Sequence, residues 1–158
     1  MTFYAVRPRR PDFDADVDDE EVVLTPHCDG WTHLDQAIAF WRLVDPERAE
    51  VIEQLRVDAD LRDPDGHLRF TTHEVALLAD RLEGIETALL AAGILNSDWQ
   101  VAPERVEELG QAVPGQDLRP NRPMSEKVYA FVETLGNVWG LRTFLRSAAE
   151  QGCEVVHS

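Results

Sequence analysis

Side chains able to ligate a metal or act as nucleophiles gather at two places in the sequence. His27, Cys28, Asp29 and His33 lie early, and Cys153 and His157 lie at the far end. A zinc ion takes four such donors, arranged tetrahedrally at about 2.0–2.3 Å. The spacing argues against it. Residues 153–156 read as a strand, and four steps along a strand separate α-carbons by about 13 Å. Cys153 and His157 cannot share an ion at that distance, and no Cys-x-x-Cys pair anchors a site. No metal is expected. The two cysteines read as free thiols, a single bridge remaining open if the chain ends meet.

Cys28 beside His33 is the one arrangement that suggests a nucleophile and its base. A nearby helix N-terminus would lower the thiol pKa, because the free amides carry partial positive charge. Two common residues at short spacing do not make a convergent site. The sequence has no Gly-x-Ser-x-Gly elbow and no glycine-rich phosphate loop. No catalytic residue and no cofactor is assigned. Asp14, Asp16 and Asp18 alternate as at the start of a calcium loop, which needs Gly at its sixth position and Glu at its twelfth. Counted from Asp14 those positions hold Asp19 and Thr25, and from Asp12 they hold Val17 and Val23. Neither register works.

What remains is charge. Thirty acidic residues face 15 basic ones, a formal charge of −15, and Lys127 is the only lysine. Such a field repels nucleic acid and anionic membrane and attracts basic partners. Asp12, Asp14, Asp16, Asp18, Asp19, Glu20 and Glu21 crowd into a self-repelling loop over 11–21. Asp58, Asp60, Asp63 and Asp65 form a second acidic segment. Arg-Pro runs recur at 7–11 and 119–123, where pairing with the protein's own carboxylates is the simplest role. Trp31 and Trp99 flank expected turns and are candidate anchors, burial being the commoner fate of a Trp.

The elements that must position these groups follow from periodicity and caps. Strands are expected over 2–6, 22–25, 67–70 and 153–156. A first helix starts near Thr32, and Asp45-Pro46-Glu47 restarts a second that runs to about Val57 and buries Ile52 and Leu55. Thr71 and Glu74 form a capping box, opening a helix that continues to Gly93 with Gly84 inside it. A shorter helix is expected from Pro103, a Pro-rich loop over 114–123, and a last helix capped by Ser125. In that helix Gly136 and Gly140 suggest a close neighbour. The sum is a single α+β domain over 1–158, with about five helices on a small sheet formed largely by the N- and C-terminal strands.

No stretch approaches the ~18 apolar residues that span a bilayer, and residues 1–11 lack a signal-peptide core, so the expected compartment is the cytoplasm. The function that best suits these features is a non-enzymatic acidic binding protein. It would act as an inhibitor or immunity-type protein that neutralises a basic nucleic-acid-handling protein or toxin. The alternatives are a generic acidic, salt-adapted interaction or regulatory protein, and a small enzyme with its site near Cys28 and His33. The acidic residues named above are the expected partner contacts. The expected partner is a basic protein, with neither nucleic acid nor membrane.

Overall fold

The two ends of the chain meet in one sheet. The computed structural model describes residues 2–8, 21–62, 68–98, 100, 101, 105 and 124–157, with side chains in the last stretch from 131 onward. Strand β1 (Phe3–Val6) pairs antiparallel with β3 (Glu154–His157), Phe3 opposite His157 and Val6 opposite Glu154. The two-residue β2 (Arg69–Phe70) flanks β3 on its other side, giving the order β1-β3-β2. Side chains alternate across a strand, so Cys153, Val155 and His157 share the buried face.

The expected strand over 22–25 is instead a bulged edge. Phe3 and His27 exchange two backbone hydrogen bonds of 2.9 Å, and the Val23 N–H donates to the Ala5 carbonyl. Bridges at Phe3–His27 and Val6–Val22 leave the outer segment longer than the β1 stretch it faces. Pro26 has no N–H to continue a regular ladder there.

Helices α1 (Gly30–Val44), α2 (Pro46–Arg62), α3 (Thr72–Leu82), α4 (Ile85–Ala91) and α5 (Met124–Glu150) cover the sheet and one another. The capping box forms as expected. The Glu74 N–H donates to Thr71 Oγ1 at 3.2 Å, and the Thr71 N–H to Glu74 Oε1 at 2.9 Å. The helix that follows is not continuous. It stops at Leu82, Glu83 is extended, and Gly84 adopts φ 82° before α4 begins. A Cβ at Gly84 would meet nothing within 4 Å, so backbone conformation rather than close packing calls for glycine. With α3 and α4 taken as one interrupted helix, the described residues contain four helices beside the sheet, an α+β architecture.

Helix α2 runs five residues past its expected end at Val57. Ala59 is buried in that extra turn, and Arg62 beyond it donates to the Arg69 carbonyl and pairs with Glu74. The helix expected from Pro103 and the loop over 114–123 lie outside the described residues, apart from Arg105. Ser125 falls within α5 rather than before it. Among the described residues nothing stands within 4 Å of a Cβ at Gly136, and at Gly140 His27 approaches only to ordinary contact, 3.6 Å from where a Cβ would stand.

The core runs between the sheet and the helices, with Phe3, Phe40, Trp41, Phe70 and Phe131 as its largest fully buried side chains. Among the described residues no helix is long and apolar enough to cross a membrane.

Candidate functional site

Helix α2 has two unlike faces. Ala49, Ile52 and Ala59 are buried, and a helix that turns every 3.6 residues must then present the residues between them to solvent. Glu47, Glu50, Val51, Gln54, Val57, Asp58 and Leu61 recur at steps of three and four, and all are exposed. At 1.5 Å per residue this face is about 21 Å long. Leu61 is 78 % exposed, the most exposed of the large apolar side chains described. Among the described residues Glu47 and Glu50 have no ion-pair partner, while Asp58 accepts a 2.8 Å hydrogen bond from Gln54 and lies within the electrostatic reach of Arg62. The side of α2 toward its neighbours is different. Arg56 there binds Asp35 and Glu53 and lies 5.0 Å over the Trp31 ring.

The acidic residues expected to contact a partner fall into three groups. Asp58 and Asp60 are exposed on α2, Asp58 on the outward face within the electrostatic reach of Arg62 and Asp60 within that of Arg56. Glu21 is exposed but pairs with Arg7 at 2.9 Å, the self-pairing expected of the Arg-Pro run. Asp12, Asp14, Asp16, Asp18, Asp19, Glu20, Asp63 and Asp65 lie outside the described residues, as does Trp99. Trp31 is no bare anchor, since Arg56 covers it and the His157 ring lies 5.5 Å away.

The metal-ligand residues divide in space. His27 Nε2 and His33 Nδ1 face each other at 2.8 Å, one nitrogen donating and the other accepting. Burial, followed by the charge of His33, lowers the His27 pKa to about 4, although Asp29 pulls the other way. Burial also lowers that of His33, again against Asp29. Both shifts favour the neutral rings, which a single N–H···N hydrogen bond joins. His157 sits elsewhere, its ring 5.8 Å from Phe3, and burial pushes the Cys153 thiol up. Cys28 is exposed, and both cysteines are free thiols. Among the described residues no three His, Cys, Asp or Glu side chains converge as a metal site would require. His27 also lines a shallow cleft of about 310 Å³ between the bulged edge and α5 that includes Pro26, Gly140 and Phe144 but neither Cys28 nor His33.

A larger cleft, about 740 Å³, opens where α1 and α2 meet α4. Its apolar wall is Trp41, Val44 and Ala88. Arg48 crosses it, 4.2 Å above the Trp41 ring, donating to the Glu83 carbonyl at 3.1 Å and lying 3.5 Å from the Asp45 carboxylate. The protein's own cation thus occupies the cleft's polar rim.

Neither the α2 face nor the His27–His33 contact was singled out from sequence. The first was signalled by the exposed-residue spacing that complements Ile52 and Leu55. The second had no signal, because a six-residue separation across a turn does not fix two rings together. Comparison with protein-family models, with curated proteins and with solved structures finds no match to this chain.

Proposed function

We propose that this chain is a non-enzymatic, cytoplasmic binding protein that neutralises a basic protein, as an inhibitor or immunity-type protein does for a nucleic-acid-handling enzyme or a toxin. The observation that carries this is the row of exposed carboxylates along the outward face of α2, Glu47 and Glu50 without an ion-pair partner among the described residues, in a chain whose net charge is −15. A carboxylate held near like charges without a cation raises the energy of the free protein, and a basic surface relieves that cost on contact. Complementary fields also accelerate encounter and set a complex that weakens as salt screens it.

The test is capture on the immobilised chain from a lysate of its native host at low salt, eluted by rising salt and identified by mass spectrometry. Recovery of one basic nuclease, nucleic-acid-binding enzyme or toxin, released as salt rises, is the expected result. Elution of nothing above background, or of a mixture without basic character, contradicts it.

A further inference from the structure

Resting on that reading, we infer that the outward face of α2 docks a basic amphipathic helix, with Leu61 as the apolar anchor and Glu47, Glu50 and Asp58 as the charged rail. The composition of the face selects this partner over a surface that merely binds phosphate mimics. A mimic of nucleic acid needs carboxylates alone, spaced like phosphates at one charge per ~1.7 Å of duplex axis. Here the carboxylates alternate with Val51, Val57 and Leu61, the valines each 39 % exposed and Leu61 78 %. Exposed aliphatics at helical spacing are costly in water and gain only against another apolar stripe.

A helix laid along α2 meets both demands at once. Its own residues three and four apart lie on one face, so a stripe of leucines flanked by lysines or arginines places apolar groups on Val57 and Leu61 and cations on the three carboxylates. The length matches too: about 21 Å of face accommodates about four turns of partner helix at 5.4 Å each. Among the described residues no side chain stands in the way, since all seven residues of the face are exposed.

The experiment titrates the full-length chain with two synthetic peptides of equal charge, one an amphipathic Lys/Leu helix and the other an oligolysine with the same number of lysines, followed by fluorescence anisotropy. The Lys/Leu helix should bind at least tenfold more tightly. Leu61→Ala should weaken that complex by roughly fivefold to tenfold, the usual loss at an apolar anchor, while leaving oligolysine unchanged. Because Leu61 is exposed, its substitution leaves the fold intact, and an unchanged melting temperature checks this. Equal affinity for the two peptides, or indifference to Leu61→Ala, overturns the helix-docking inference while leaving a basic partner in place. Failure of both peptides to bind overturns the proposed function as well.

Discussion

Two acidic regions of this protein are treated in opposite ways. Along the seam of α3 and α4 with α5, Arg146 donates to Asp80 at 3.0 Å and to Glu83 at 3.3 Å, and Arg142 pairs with Glu86. On the outward face of α2, Glu47 and Glu50 have no ion-pair partner among the described residues, and Asp58 has only the electrostatic reach of Arg62 one turn on. With one basic residue for every two acidic ones, the chain places arginines where helices pack. Where it leaves carboxylates bare, aliphatic side chains stand beside them. Acidity is therefore handled in two ways here, paired with arginine where helices pack and left exposed along α2.

The strongest way to break this contrast is to remove a carboxylate that the fold uses. Glu74 is 7 % exposed, caps the start of α3 and binds Arg62. Glu74→Ala should cost about 1–2 kcal/mol, chiefly by loss of the cap, since Arg62 is exposed and keeps its bond to the Arg69 carbonyl, read from urea unfolding.

Acid is a milder probe. His27 titrates lower in the folded chain than in the unfolded one, so its contribution is complete above about pH 6.5 and is lost as pH falls toward 4. Discounted for its half-buried ring, that loss should be on the order of 1 kcal/mol, and His27→Gln should flatten the stability curve across this window. Glu74 acts further down. Burial alone would raise its pKa, but hydrogen bonds from Arg62 and Thr71 outweigh that and lower it. Its contribution is present above the ordinary carboxylate range and is lost as pH falls through the lowered value.

Smaller still is the seam. Arg146→Ala should cost about 0.2–1 kcal/mol, the usual worth of partly exposed ion pairs. Smallest of all, replacing Glu47, Glu50 and Asp58 together by Gln should shift stability by less than about 0.5 kcal/mol. A large loss from that triple substitution would mean the face supports the fold, and the contrast would fail.

Much of the architecture is legible in the sequence because its signals are local. Thr71 and Glu74 satisfy each other's amides within four residues, and the alternation in 2–6 and 153–156 marks half-buried strands that need one partner each. The helix break at Glu83-Gly84 was hidden, since Val75 to Leu89 keep helical spacing across it and nothing local distinguishes a tolerated glycine from a left-handed one. Gly30 was equally opaque. A Cβ there would stand 2.4 Å from the Phe3 ring, a contact between residues that only the folded sheet brings together. The candidate face was half visible. Ending α2 at Val57 left Leu61 outside the helix, so the acidic residues of 58–65 read as a segment rather than as part of a stripe.

The most direct test compares two variants that each remove three negative charges, Glu47→Gln/Glu50→Gln/Asp58→Gln on the outward face and Asp80→Asn/Glu83→Gln/Glu86→Gln at the seam. Each is titrated with the basic Lys/Leu peptide and melted in parallel. The account predicts that the first loses affinity at least tenfold and melts as the parent chain does, while the second keeps its affinity and melts lower. Equal loss of affinity in both would show that net charge alone attracts the peptide, and would contradict a binding role for the α2 face.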